Sequence, residues 1–142
     1  MAGGVPRQVL DMLAQVPLFS ACSRSELRHI AGLGTEVQVA PGATLTKQGA
    51  VGREFFLVTK GSARCSRDGN LVARFGPGDF FGEMALLDRA PRNATIVADE
   101  PMTVLVLDAG EFETLLDESP SIGRKLLKAL AERQRVVSVL QN

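Results

Sequence analysis

A mainly β chain with helices at both ends is the fold class this sequence predicts. Three observations carry that expectation. Helical periodicity is confined to the two ends, short apolar or alternating segments fill the middle, and glycine- or proline-rich turns recur there at roughly ten-residue spacing. Such a middle section reads as a sandwich, barrel or jelly roll.

The elements follow in order. Residues 6 to about 34 read as helical, with Val9, Leu10, Leu13 and Val16 on one face. After a Pro17-Leu18-Phe19 turn, Ser23 caps a second helix, and Glu26 three residues on completes the spacing of a capping box. Leu27, Ile30 and Leu33 give that helix its apolar stripe. From Thr35 to Asp108 the period changes. Val37 and Val39 alternate before Pro41-Gly42, and Gly49 and Gly52 flank a turn into Phe55-Phe56-Leu57-Val58. Asp68-Gly69 is a two-residue hairpin signal between Ala63-Arg64-Cys65 and Leu71-Val72-Ala73. Gly76-Pro77-Gly78-Asp79 marks another turn, and strands are expected at Ala94 to Val97 and Thr103 to Leu107. Beyond Asp108, Phe112, Leu115 and Leu116 form a short helical face. Pro120 opens a last helix carrying Ile122, Leu126, Leu127, Leu130, Val137 and Leu140. One domain over 1–142 is expected: N-terminal helices (1–34), a β section (35–108) and C-terminal helices (109–142).

Composition excludes several functions. Sixteen basic side chains balance sixteen acidic ones, so net charge recruits neither nucleic acid nor an anionic membrane. The cluster Arg124, Lys125, Lys128, Arg133 and Arg135 reads as a solvated helix face. Cys22 and Cys65 stand far apart without metal-ligand spacing, which suits two reduced thiols in a cytoplasmic protein. The longest strongly apolar run, Val104 to Leu107, cannot span a bilayer. The single histidine, His29, lies outside the β section, so a metal-dependent cupin and any metal site are not expected. No serine or cysteine has a plausible base nearby, so no enzyme is expected.

One stretch of the β section does not look like a strand. Glu83-Met84-Ala85-Leu86-Leu87 has good helix propensity but room for only one or two turns. Its first backbone N–H groups are a ready anion site, and Gly82 leaves space for close approach. Pro91 then stiffens the chain, and Arg92 is expected to begin the next strand. The planar guanidinium of Arg92 suits phosphate oxygens. A carboxylate repels phosphate but accepts well from a ribose hydroxyl, so Glu83 points to a ribose joined to one phosphate.

Gly82-Glu83-Met84-Ala85-Leu86-Leu87, three intervening residues and Pro91-Arg92-Asn93-Ala94-Thr95 together resemble the phosphate-binding cassette of cyclic-nucleotide-binding domains. These domains occur in regulatory subunits of cyclic-AMP-dependent protein kinase, cyclic-nucleotide-gated channels and the catabolite activator protein. Pro17-Leu18-Phe19, the spacing of Gly49, Gly52, Phe55, Phe56, Val58 and Gly61, and Gly76 to Phe81 extend the similarity over nearly the whole chain. The resemblance implies a jelly-roll-like β-roll, a double-stranded β-helix, with N-terminal helices and two C-terminal helices, the cassette spanning residues 81–95. It implies that Glu83 accepts the ribose 2′-hydroxyl, that the amides of Met84 and Ala85 meet the cyclic phosphate, and that Arg92 neutralises it. Asn93 departs from the family's alanine, serine or threonine, and with Ala94 it completes the ligand-binding set Gly82, Glu83, Met84, Ala85, Arg92, Asn93, Ala94 and Arg133. Arg133, with Arg135 second, is the expected lid that stacks on the base. Leu86, Leu87 and Phe112 would pack the cassette against the C-terminal helices.

The expected function is a switch operated by a 3′,5′-cyclic nucleotide, cyclic AMP ahead of cyclic GMP, with no cofactor beyond that ligand. The last helix offers a face to a second copy or an effector. A helix-turn-helix does not follow that helix in these 142 residues, so no direct nucleic-acid binding is expected of them. The alternatives are a degenerate, ligand-free interaction module, or a regulatory piece of a transcription factor or channel.

Overall fold

A computed structural model describes residues 4–141, with side-chain surroundings through Glu132. The N-terminal segment forms α1 (Arg7–Ala14), a single 3₁₀ turn (Pro17–Phe19) and α2 (Arg24–Leu33). Then come β1 (Thr35–Val39), β2 (Thr44–Thr46), β3 (Glu54–Lys60), β4 (Ala63–Arg67), β5 (Asn70–Phe75) and β6 (Phe80–Phe81). A second 3₁₀ turn (Glu83–Leu86) precedes β7 (Thr95–Ala98) and β8 (Met102–Asp108), followed by α3 (Ala109–Glu118) and α4 (Pro120–Gln141).

The strands form two antiparallel sheets, ordered β1-β8-β3-β6 and β2-β7-β4-β5. This is a mainly β roll with helices at its ends. Two cores explain the sequence pattern. Phe55 and Leu57 of β3 turn toward the helices, where they join Leu13, Phe19, Ile30 and Phe112. Phe56 and Val58 of the same strand turn into the space between the sheets, beside Ala63, Ile96 and Val104. A strand buried on both faces reads as a continuous apolar run, which is why Phe55-Phe56-Leu57-Val58 shows no alternation. β5 is the opposite case. It is an edge strand, and its Leu71 and Val72 are about half exposed.

Local signals place the turns. Asp68 and Gly69 both take positive φ (53° and 81°), the pair of left-handed residues that a tight two-residue hairpin needs. Gly78 (φ 91°) follows Pro77 in a turn closed by Asp79 N–H donating to the Gly76 carbonyl at 3.0 Å. The Ser23 hydroxyl accepts from the Glu26 amide, and the Glu26 carboxylate accepts from the Ser23 amide at 2.8 Å.

Glu26 does more than cap. Its carboxylate also accepts from Lys125 Nζ and, at 3.0 Å, from the Ser121 hydroxyl, tying α2 to the first turns of α4. The Lys125 bond, then the Ser23 amide, hold its pKa down from an ordinary 4.5 to about 2. A carboxyl whose folded pKa is depressed adds stability above its unfolded value and loses it as pH falls through the folded one. Wild type is therefore expected to lose stability between about pH 4.5 and 2 that Glu26→Gln never has. At neutral pH the variant should be about 1 kcal/mol less stable, solvent screening included. Thermal midpoints measured across that pH window check this. Parallel curves for the two proteins would contradict it.

Among the described residues no helix is long and apolar enough to cross a membrane. Cys22 and Cys65 are free thiols, one half-buried beside the helical core and one buried between the sheets.

Candidate ligand-binding site

Between the cassette segment and the β4–β5 hairpin lies an open cavity of about 650 Å³. Gly82, Glu83, Met84, Ala85, Arg92, Asn93 and Ala94 all line it, so the fold brings together every site residue read from the sequence except one. That one is Arg133, whose side chain, like that of Arg135, falls outside the described residues.

The helical turn expected after Gly82 is present as a 3₁₀ turn. Its period is close to three. Leu86 is buried with Phe112 in the helical core, whereas Leu87, expected in the core beside it, is 38% exposed. The Ala85 amide donates to the Gly82 carbonyl at 3.0 Å, closing a turn that contains the Met84 amide. Gly82 caps the turn with φ 81°, a conformation that suits glycine.

Arg92 does not begin the next strand, which starts at Thr95. It sits in a loop pinned at backbone level. Its N–H donates to the Ala50 carbonyl and its carbonyl accepts from Gly49 N–H, both at 2.8 Å. Pro91 bridges Val51 beside it. The Arg92 side chain is only 11% exposed. Nη2 donates to the backbone carbonyl of Glu54 at 2.7 Å and lies 3.7 Å from that residue's carboxylate, and Cζ stands 5.9 Å from the centre of the Phe56 ring. Burial lowers its pKa and the Glu54 carboxylate opposes that, yet an arginine stays charged.

Two glycines make room for this side chain. A Cβ on Gly52 would lie 1.8 Å from Arg92 Nε, and one on Gly82 would lie 2.6 Å from Nη1 and 2.6 Å from the Glu54 carbonyl. Gly52 is buried and has no positive φ, so it is a slot for the guanidinium and not the turn former its sequence position suggests. Glu54 is the second partner that the sequence did not disclose.

The far end of the cassette is held by β2 and β4. The Thr46 hydroxyl donates to the Ala94 carbonyl at 3.1 Å, and Arg67 Nε donates to the Asn93 carbonyl at 3.0 Å. Across the cavity, Cys65, Val72, Ala73 and Phe75 form a largely apolar wall. Phe75, Phe81 and Phe56 stack in series beneath it, with centroids 5.3 and 4.9 Å apart. The cavity thus joins a recessed cation and a turn N-terminus to an apolar wall. Among the described residues no group of three or more His, Cys, Asp or Glu side chains is placed to hold a metal ion.

The sequence model for the cyclic nucleotide-binding domain matches residues 36–119, more than half of the chain. The chain belongs to this family. A cyclic-AMP-dependent protein kinase regulatory subunit of Colletotrichum orbiculare is 38% identical over 121 residues, covering 84% of this chain and 31% of that protein. A cyclic nucleotide-gated potassium channel of Rhizobium etli is 33% identical over 124 residues, covering 87% of this chain and 35% of the channel. The chain therefore spans about a third of the length of these relatives. The crystal structure of the N-terminal domain of a transcriptional regulator from Streptomyces coelicolor superposes with a TM-score of 0.84 at 32% identity, covering 89% of this cyclic nucleotide-binding domain and 94% of that chain.

Proposed function

We propose that this domain binds a 3′,5′-cyclic nucleotide, cyclic AMP ahead of cyclic GMP, without turning it over, and works in the cytoplasm as a switch for an attached or separate effector. The observation that carries the reading is Arg92, a recessed guanidinium between Gly52 and Gly82 whose cavity also receives the start of the Glu83–Leu86 turn. A cyclic phosphate carries one negative charge, which one arginine and the Met84 amide match, with the Ala85 amide shared. Glu83 then takes the ribose 2′-hydroxyl, and the apolar wall of Val72 and Ala73 takes the base. Similarity to a cyclic-AMP-dependent kinase subunit supports the order of the two nucleotides.

Switching rests on Leu86. It belongs to the cassette turn and is buried in the core that also holds Phe112, Leu115, Ile122 and Leu126 of α3 and α4. A ligand that draws the turn in therefore shifts the seat of both helices, biasing two arrangements. Arg133 is the proposed cover for the base.

Titration calorimetry on wild type and Arg92→Ala tests the site. Loss of two charge-assisted hydrogen bonds, roughly 1.5 kcal/mol each, should weaken binding about a hundredfold. Unchanged affinity in the variant, or no binding of either nucleotide to wild type, would refute the assignment.

A further inference from the structure

We propose that Gln48 is a positioning residue that sets how long a bound nucleotide stays, an inference that rests on cyclic-nucleotide binding being the function of the site. The apolar wall of the cavity belongs to the β4–β5 hairpin, which contributes Cys65, Val72, Ala73 and Phe75. β5 is an edge strand whose one described neighbour is β4, so the outer side of the wall has no strand to hold it. The tip of the hairpin must be held from elsewhere. Gln48, in the segment between β2 and β3, meets that tip at two points. Its Nε2 donates to Asp68 Oδ1 and its Oε1 accepts from the Asp68 amide, both at 2.8 Å. A primary amide carries donor and acceptor side by side, which is what this pair of partners requires.

The same residue is fixed to the cassette. The Gln48 amide donates to the Thr95 hydroxyl at 3.0 Å, and residues 49 and 50 are bonded to the backbone of Arg92 on both of its sides. Residues 48–50 are thus an arm of the cassette loop, from which Gln48 clasps the hairpin. Neither Gln48 nor Asp68 lines the cavity, so the clasp acts on a ligand only by holding wall and cassette together. Both residues are exposed. Bonds at an exposed hairpin tip govern local opening more than global folding. A nucleotide held between Arg92 and the hairpin wall leaves when the wall swings out. Losing the clasp should therefore speed dissociation, while association, which needs the wall open, should change little. The bond from Arg67 to the Asn93 carbonyl remains as a second tie, so the effect is bounded.

Stopped-flow mixing with a fluorescently tagged cyclic AMP, then displacement by excess untagged cyclic AMP, measures both rates, and thermal melts verify folding. Two hydrogen bonds at the low end of their usual net worth correspond to about fivefold, the expected rise in dissociation rate for Gln48→Ala. Its association rate should stay within about twofold of wild type. Gln48→Glu keeps the acceptor for the Asp68 amide but sets a second oxygen against the Asp68 carboxylate, so it should dissociate at least as fast. Adding Asp68→Asn supplies an N–H to that oxygen, and asparagine tolerates the φ of 53° at this position. The double variant should therefore recover slow dissociation, which a merely structural role for residue 48 would not explain. Unchanged dissociation in Gln48→Ala, a loss confined to association, or a folded double variant that recovers nothing would overturn the proposal. A wild-type chain that binds no cyclic nucleotide would instead overturn the underlying function, and the inference with it.

Discussion

Gly52→Ala is expected to cost the domain its nucleotide affinity while leaving it folded. The new methyl group would lie 1.8 Å from Arg92 Nε and 2.1 Å from Cζ, distances at which something must move. What moves is the end of a long side chain, because the three nearest atoms all belong to the Arg92 guanidinium. The φ of Gly52 is not positive, so alanine adds no backbone strain. Displaced, the guanidinium leaves the Glu54 carbonyl and the position proposed for the phosphate together. The expected loss is at least that of Arg92→Ala, about a hundredfold, because the stranded charge also disturbs the slot. Gly76→Ala is the matched control, since a Cβ there meets nothing within 4 Å and its φ is ordinary. Calorimetry with cyclic AMP and a thermal melt on all three proteins measures both effects. A Gly52→Ala domain that binds as wild type does would show that Arg92 need not occupy this slot to hold the ligand.

That slot also marks where sequence reading stops. Turns and caps were legible because their determinants are neighbours in the chain. Asp68-Gly69 carries its own φ requirement, and Ser23 and Glu26 are three residues apart. That Glu83 and Arg92 would line one cavity was legible for a similar reason, since both lie in one short segment. Gly52 and Glu54 were not, because they reach Arg92 only when β3 and the cassette loop come together, and the main acceptor is a backbone carbonyl that no residue type encodes. Leu87 shows a different limit. Apolar identity alone does not separate Leu86, buried within the 3₁₀ turn, from Leu87, which caps its end and is partly exposed.

Phe112→Ala should produce the largest loss of stability. The ring is fully buried, tilted at 53° against Phe19 with centroids 6.0 Å apart, and Phe19 in turn meets Phe55 edge-on at 5.7 Å. One side chain therefore joins α3 to the N-terminal turn and, through it, to β3. Truncating such a ring costs about 3–5 kcal/mol, the lost transfer energy plus the cavity left behind. Against a total of about 5–15 kcal/mol this is a large share, and the thermal midpoint should drop by roughly 10 °C or more. Leu87→Ala, at an exposed position on the same cassette, should stay within about 0.5 kcal/mol. Urea denaturation of the two variants separates these cases, and equal stability would mean that the helices are not held through this ring. Phe112 and Leu86 share a core, so the same truncation loosens the contact by which the cassette turn would move α3. On the proposed function, saturating cyclic AMP should stabilise the folded variant by mass action and recover part of the lost midpoint.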